Sequence, residues 1–151
     1  MCVNKKIVPV VSAVNLLLIL GIAAFLISGS GKAEPSFPGS EEVTRYTLYI
    51  GLNDKDSDTQ EISTEQAREI VDEICCKYVG GFTAFQAQGG WTDEGGALTK
   101  ENTLVYMFSY ADEAQITAIM DEVIPALNQS VILVHTDTVQ SAYYSGTPTV
   151  K

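Results

Sequence analysis

The stretch GGFTAFQAQGGWTDEGGALTKENTLVYMFSY, residues 80–110, decides the fold. Its first apolar run, residues 82–88, alternates apolar residues with small or polar ones, and its second, residues 103–110, is almost continuously apolar and aromatic. Between them, the sequence WTDEGG, residues 91–96, has the composition of a turn, because aspartate and glycine tolerate positive φ. The pattern therefore predicts a β-hairpin at the centre of the domain.

An amphipathic helical pattern lies on each side of this hairpin. Apolar residues recur three and four positions apart over residues 67–78 and again over residues 116–127. Ser63 and Asp112 precede these patterns, and each has a glutamine three residues later, which is the spacing of a capping box. The sequence predicts two helices that begin there, the first ending at a Gly-Gly pair and the second loosening near Pro125.

Two further strands complete the pattern. Residues 44–52 carry large apolar side chains at alternate positions, and residues 130–136 are rich in β-branched residues and look buried on both faces. The predicted order, β-α-β-β-α-β, folds through right-handed crossovers into an α+β, ferredoxin-like plait. In this plait a four-stranded antiparallel sheet carries both helices on one face. The predicted domain spans residues 44–145, and a tail follows at residues 146–151.

The N-terminal part predicts a membrane anchor. Residues 1–6 include two lysines, and residues 7–28 form a charge-free apolar run long enough to cross a bilayer as a transmembrane helix. This charge distribution favours a cytoplasmic N-terminus, which places the domain on the extracytoplasmic side of the cell membrane. The alternative is a signal peptide that is cleaved near residues 31–33 and releases a secreted domain. Residues 29–43, rich in Gly, Ser, Pro and Glu, predict a flexible linker.

The chain is acidic overall. Its 151 residues include nine lysines and arginines against nineteen aspartates and glutamates, for a formal net charge of −10. Such a charge repels phosphate backbones, so nucleic-acid binding is disfavoured. Cys2 and the neighbours Cys75 and Cys76 do not make a disulfide framework, and we expect Cys75 to be a core residue. No metal-ligand spacing, phosphate-binding loop or cofactor motif is visible, so no cofactor is predicted.

The predicted strands carry apolar residues on both faces, which two helices cannot cover. In the third strand, for example, Leu104 and Val105 point to opposite faces. A one-layer sheet with a wet face would alternate apolar with polar residues instead. We therefore expect a homo-oligomer in which chains associate through the second sheet face. The alternative is that the tail, with Tyr143 and Tyr144, folds across this face.

Three blocks of sequence carry a family resemblance. They are Tyr46-Thr-Leu48-Tyr49-Ile-Gly51-Leu52, Gly89-Gly-Trp91-Thr-Asp93-x-x-Gly96 and Glu101-x-Thr103. In this order they resemble an uncharacterised bacterial domain family of short exported or lipoprotein-like chains, over residues 45–144. The resemblance implies a ferredoxin-like domain outside the membrane and supplies no catalytic residues; this chain departs from it in lacking a lipobox. By fold alone, the topology is also similar to trimeric signalling and metal-tolerance proteins of the PII and CutA type.

The loop after the first strand has the spacing of a calcium-binding loop. Asp54, Asp56 and Asp58 alternate along it. Glu65 follows at the twelfth position, where a late glutamate closes a calcium site. Against this, Thr59 stands where such loops have glycine, and a strand precedes the loop instead of a helix. These four acids are weak calcium candidates, and a solvated loop is the simpler interpretation.

Candidate site residues lie on the hairpin and on the open sheet face. Asp93 and Glu101 are candidate general bases, and Trp91 is a candidate aromatic wall beside them. Tyr49, Phe85 and Trp91 are candidate ligand-binding residues. For Trp91, packing over the end of the hairpin is the simpler role.

The predicted function is binding or sensing at the cell envelope by a self-associating module whose specific activity the sequence does not reveal. The alternative is a small cofactor-independent enzyme with its pocket near the hairpin, between Trp91 and Glu101. The open face separates the two hypotheses. A cavity lined by Tyr49, Phe85 and a carboxylate favours the enzyme, whereas a flat apolar face sealed by another subunit favours assembly.

Overall fold

The computed structural model describes residues 37–92 and 95–146. The predicted transmembrane run, residues 7–28, and most of the predicted linker lie outside these residues. Among the residues that are described, no helix is long and apolar enough to cross a membrane.

Within the described ranges, six elements follow one another in the predicted order. They are β1 (Glu41–Gly51), α1 (Thr64–Tyr78), β2 (Thr83–Thr92), β3 (Leu98–Phe108), α2 (Glu113–Ala126) and β4 (Leu133–Ser141). The strands form one sheet in the order β2-β3-β1-β4, with antiparallel neighbours throughout. This α+β arrangement confirms the predicted four-stranded antiparallel sheet with two helices and is consistent with the ferredoxin-like plait.

Both helices begin as their capping patterns predict. The Ser63 hydroxyl accepts a bond from the backbone N–H of Gln66, and the Gln66 side chain accepts one from the backbone N–H of Ser63. Asp112 and Gln115 make the same pair of bonds at the start of α2. These bonds satisfy backbone donors that the first turn of a helix leaves free.

The helix ends differ from the prediction. α1 ends at Tyr78, with Val79 as an extended C-cap, so the Gly-Gly pair follows the helix without capping it. α2 continues through Pro125 and closes with Asn128 in the left-handed region, at φ 47°. The backbone N–H of Asn128 donates to the Pro125 carbonyl (3.3 Å) and that of Gln129 to the Ile124 carbonyl (2.8 Å). These two bonds form a Schellman ending, which satisfies the last carbonyls of the helix.

The hydrophobic core fills one side of the sheet. Alternate strand residues, including Leu48, Tyr106 and Phe108, pack against the apolar stripes of both helices. The fully buried helix residues are Ala67, Val71, Cys75, Ile119 and Val123. Both helices therefore lie on the same face, as predicted. Burial raises the pKa of Cys75 to about 12, so this thiol stays protonated and acts as a small apolar core residue, as expected.

The strands extend beyond the apolar runs that predicted them. β2 continues to Thr92 and β3 already begins at Leu98, so Trp91 lies in a strand instead of the turn. β1 begins at Glu41, inside the predicted linker. β4 begins at Leu133 and is exposed along most of its length, so the expected burial on both its faces is wrong. The reason is that β4 is an edge strand, paired only with β1.

One carboxylate joins the two helices. Glu122 of α2 accepts a bond from the Lys77 ammonium of α1 (2.5 Å) and another from the Tyr78 hydroxyl. Both bonds favour the charged carboxylate and hold the pKa of Glu122 below its usual range. Glu122 thus links the two helices at their partly exposed surface.

In the described structure, no helix lies on the second sheet face. At its centre is Val105, which is 1% exposed and is flanked in register by Tyr49 and Phe85. In the described part of the tail, Tyr143 is 87% exposed and stacks on the ring of Tyr110. The alternative that the tail with Tyr143 and Tyr144 folds across this face stays a prediction.

Candidate functional site

A cavity of about 600 Å³ opens at one end of the helix-free sheet face. The strands contribute Tyr49, Gly51, Ala87, Gly89, Trp91, Glu101, Thr103 and Leu133 to its lining, and the loops contribute residues from 53–58 and 129–131. Three predicted site residues, Tyr49, Trp91 and Glu101, meet in this cavity. The register explains their meeting, because all three lie at positions that face away from the helices.

Glu101 stands on β3 directly opposite Gly89 of β2. Its carboxylate lies against the backbone of Gly51 on β1, so close that a β-carbon at position 51 would be 2.7 Å from Glu101 Oε1. A β-carbon at Gly89 would likewise be 3.4 Å from Glu101 Cγ. The two glycines therefore make room for a carboxylate against the sheet surface. Within the described part of the chain, this carboxylate has no hydrogen-bond or ion-pair partner.

Thr103, two residues along the same strand, brings a hydroxyl to the same cavity. The residue is only 6% exposed, and its Oγ1 has no hydrogen-bond partner among the described residues. A β-carbon at Gly89 would lie 2.8 Å from this oxygen, so glycine is needed there as well. Most buried polar atoms in native proteins have a partner, and an unsatisfied one costs about 1–3 kcal/mol. The Thr103 hydroxyl is therefore an unusual feature that calls for a physical reason.

Two aromatic side chains border the carboxylate. The Tyr49 ring makes an edge-on contact with the His135 ring, with 4.9 Å between the centroids. Trp91 is about half exposed and lines the cavity from β2. Phe85, the third predicted ligand-binding residue, pairs with Val105 farther along the sheet and does not line the cavity. The aromatic lining thus contains two of the three predicted residues.

Residues 45–143 match the model of a protein family of unknown function, DUF3574. The chain belongs to the DUF3574 family. This finding agrees with the predicted resemblance to a family of unknown function over nearly the same residues. No protein of curated function matches the chain.

Several solved structures show a weak similarity to this DUF3574 domain. A phage SAM lyase in complex with S-methyl-5'-thioadenosine is 15% identical, with a TM-score of 0.48, over 76% of this chain and 100% of its own. A DUF3240 family protein from Shewanella baltica is 10% identical, with a TM-score of 0.38, over 71% of this chain and 98% of its own. CutA from Synechococcus elongatus is 9% identical, with a TM-score of 0.39, over 66% of this chain and 77% of its own. At these values the likenesses give no argument about activity.

In this DUF3574 protein, the carboxylates named as calcium candidates bond to the protein itself. Asp54 Oδ1 accepts from the backbone N–H groups of Asp56 (2.8 Å) and Ser57 (3.2 Å). The side-chain amide of Asn128 donates to Asp54 Oδ2 and to Asp56 Oδ2, each at 2.8 Å. The Asn128 amide is the main cause of the lowered pKa of Asp54, and the Lys55 ammonium is the main cause of the lowered pKa of Asp56. Asn128 therefore ties the loop after β1 to the loop before β4.

The carboxylates of the other two calcium candidates take no part in these Asn128 bonds. Asp58 adopts a positive φ of 55°, with its backbone N–H donating to the Asp54 carbonyl (2.9 Å), and Glu65 lies in the first turn of α1. Among the residues that the structure describes, no group of three His, Cys, Asp or Glu side chains is placed to hold a metal ion. The calcium hypothesis gains no support from this geometry.

Asp93, the other candidate general base, lies outside the described residues. A second cavity of about 570 Å³ opens at the opposite end of the same sheet face, between Phe82, Met107 and Tyr143. None of the residues lining it is charged. Glu101 therefore remains the predicted acid around which a site is built.

The sequence pattern missed Thr103 and Gly51 as members of the site. Thr103 belongs to the block Glu101-x-Thr103 but lies inside an apolar strand, and the block by itself assigns it no role. Gly51 did leave a signal, because a glycine inside a strand pattern often marks a close approach of another group to the backbone. Only the pairing register shows that the approaching group is the Glu101 carboxylate.

Proposed function

We propose that this DUF3574 protein is a binding module that holds a small molecule in the cavity on its helix-free sheet face. The observation that carries the proposal is the unpartnered Glu101 carboxylate next to the unpartnered, buried Thr103 hydroxyl. Both groups lack partners in the described chain, and a ligand that enters the cavity would supply them. The polar groups are fixed in place by strands, which suits a preformed site.

The size and lining of the cavity support this proposal. Ligand pockets commonly enclose about 300–1,000 Å³ and combine apolar or aromatic walls with a few polar groups. The cavity of about 600 Å³ lies within this range. Tyr49 and Trp91 provide the walls, and Glu101 and Thr103 provide the polar groups.

We further propose that the module works at the cell envelope and self-associates. The apolar run at residues 7–28 supports a membrane tether, and secretion after signal cleavage is the alternative. Phe85, beside the cavity, is half exposed, and Leu133, at the cavity rim, is 55% exposed, which supports contact with a second copy of the chain on this face. Association of this kind would cover apolar surface that the helices leave open.

A small cofactor-independent enzyme is the second candidate. The observation in its favour is that Glu101 lies in a cavity with an aromatic wall and has no counter-ion, which is the setting of a general base. Among the described residues, however, no histidine or cysteine lines the cavity. Mass spectrometry of a bound small molecule before and after long incubation separates the two functions, because an enzyme changes the molecule and a binding module does not.

A cavity-filling substitution tests the proposed function. The sequence contains one tryptophan, Trp91, so the intrinsic tryptophan emission reports directly from the cavity. We expect a library of neutral, cationic and anionic aromatic fragments to include members that change this emission saturably. Ala87→Phe should abolish these changes, because Ala87 lines the cavity, whereas Gln86→Phe on the opposite face of β2 should retain them.

Two results would contradict binding in this cavity. One is an emission that no fragment in the library changes. The other is fragment binding that survives in Ala87→Phe as well as in Gln86→Phe. Circular dichroism on both variants establishes that they remain folded.

A further inference from the structure

We propose that the ligand of this cavity is an organic cation that donates N–H hydrogen bonds and carries an apolar part. This inference rests on the proposed function and names the chemical class of its ligand. Three features of the cavity carry it: the balance of charge, the kind of hydrogen-bonding groups that lack partners, and the aromatic wall.

The charge balance favours a cation. The charged residues of the lining are three acids and one base, namely Asp54, Asp58, Glu101 and Lys55. The Lys55 ammonium is 2.9 Å from the carboxylate of Asp56, so it is already engaged outside the cavity. Asp54 and Glu101 are the partly buried acids of this set; the Asp54 carboxylate is bonded to Asn128 and to backbone N–H groups, whereas Glu101 has no partner in the described structure. A desolvated carboxylate is stabilised chiefly by a paired cation, whereas an anionic ligand would be repelled.

The unpartnered groups specify N–H donors. An ionised carboxylate can only accept hydrogen bonds, and a threonine hydroxyl accepts as well as donates. The Thr103 Oγ1 and the Glu101 carboxylate lie on the same face of β3, two residues apart. The Oγ1 atom is buried, so an ammonium or guanidinium group bound to Glu101 also reaches Oγ1 only when the side chains above it move aside. Because Gly51 and Gly89 have no β-carbon, the Glu101 side chain and the Thr103 hydroxyl occupy the space against the sheet that a β-carbon would fill. A quaternary ammonium has no N–H group and would satisfy the charge alone.

The aromatic wall of the cavity favours a cation that also has an apolar part. Tyr49 and Trp91 line the same cavity as the carboxylate, and tyrosine and tryptophan faces attract cations while also packing against apolar groups. The acidic surface of the whole chain adds a long-range attraction for cations, which falls with salt. A ligand with an amine at one end and an apolar body at the other matches all of these groups.

The test uses the full chain and four probes that share one benzyl or phenyl body. Benzylamine is the cation with N–H donors, benzyltrimethylammonium is the cation without them, benzyl alcohol is neutral and phenylacetate is an anion. Binding is followed by the emission of Trp91. We expect benzylamine to bind at least about tenfold more tightly than the other three, as expected when a hydrogen bond to a charged group is gained. Its affinity should fall as salt is added.

Glu101→Gln is the decisive variant. It keeps the shape of the side chain and removes its charge, so benzylamine should lose its advantage over benzyl alcohol. Glu69→Gln removes the same charge from an exposed position on α1, on the other side of the sheet, and should keep that advantage. Melting temperatures of both variants establish that the fold is intact.

The outcomes separate this inference from the proposed function. Equal binding of benzylamine and benzyl alcohol, or an advantage that persists in Glu101→Gln, overturns the cationic ligand. Equal binding of benzylamine and benzyltrimethylammonium overturns the role of N–H donors. In each of these cases, the proposed function still holds if Ala87→Phe abolishes the binding. If none of the four probes binds, the inference fails, and the wider fragment library decides the proposed function by itself.

Discussion

At the scale of single residues, Thr103 is where stability and binding conflict. Its buried hydroxyl lacks a partner in the described chain, although valine has nearly the same shape and no polar atom. A sequence selected for stability alone would favour valine at this place in an apolar strand. The threonine therefore fits a role in which the hydroxyl faces a ligand.

Thr103→Val should raise the stability of the ligand-free protein by about 1 kcal/mol, because it removes an unsatisfied buried hydroxyl. It should also weaken the binding of benzylamine several-fold. Urea unfolding measures the first effect and titration of the tryptophan emission the second. Thr99→Val, on the same strand and the same face but outside the cavity lining, is the matched control and should leave binding unchanged. A Thr103→Val variant that is less stable than the natural protein would contradict this explanation.

Chemical type alone identified part of the site. Glu101, Tyr49 and Trp91 could be named from the sequence because acids and aromatic residues near a predicted hairpin are natural candidates. Thr103 and Gly51 could not, because their roles depend on which residues stand opposite each other across the sheet. The register depends on how strands that are distant in the sequence pair with each other. A shift of one residue in this pairing would move each of these side chains to the other sheet face.

At the scale of elements, the bonds of Glu122 between the two helices make a contribution to stability that depends on pH. The direction of this dependence follows from the shift in the pKa of Glu122. The Lys77 ammonium and the Tyr78 hydroxyl lower the pKa of this carboxyl in the folded state. Its contribution to stability is therefore present above the usual value of 4.5 and is lost as the pH falls through the lowered pKa. For Lys77, whose pKa is raised by the same partner, the contribution is lost only as the pH rises above 10.5.

Glu122→Gln should flatten the loss of stability in acid. We expect the free energy of unfolding of the natural protein to fall as the pH drops below about 4.5, and to fall less steeply in Glu122→Gln. The effect should be modest and should shrink in salt, because the group is exposed. Denaturant titrations at a series of pH values measure it, with Glu69→Gln as the control. If the free energy of unfolding falls equally steeply with pH in the natural protein and in Glu122→Gln, the ion pair makes no contribution to the pH dependence of stability.

Helix starts were predictable and strand ends were not. The capping boxes at Ser63 and Asp112 involve residues three apart in the sequence, so the pattern alone contains the contact. The extension of β2 to Thr92 depends instead on backbone bonds to β3, and glycines and polar residues make these bonds as well as apolar ones. The exposure of β4 depends on its place at the edge of the sheet, which no property of its own residues indicates.

At the scale of the whole molecule, the order of elements was enough to predict the topology. What covers the helix-free sheet face could not be predicted from the sequence. Apolar residues on both faces correctly indicated that the helices leave one face bare. The same pattern did not indicate that a cavity interrupts this face at one end, because the cavity comes from glycines and loops. The face therefore divides into a polar pocket around Glu101 and an apolar area around Phe85 and Leu133.

The proposed self-association should be sensitive to charge in the apolar area. We expect the natural chain to associate in sedimentation equilibrium, and Leu133→Lys to shift it to the monomer by placing an ammonium in the contact. Leu98→Lys is the control, since Leu98 is also exposed but lies on the other face of the hairpin. A natural chain that sediments as a monomer would end the idea of assembly through this face.

The bonds made by Asn128 bear on what the cavity admits. One side-chain amide holds the lips of the entrance, the loop after β1 and the loop before β4, to each other. Neither loop can move outward alone without breaking these hydrogen bonds. The entrance therefore widens only when both loops move together. For the ligand that we propose, the linked entrance would therefore select by size as well as by charge.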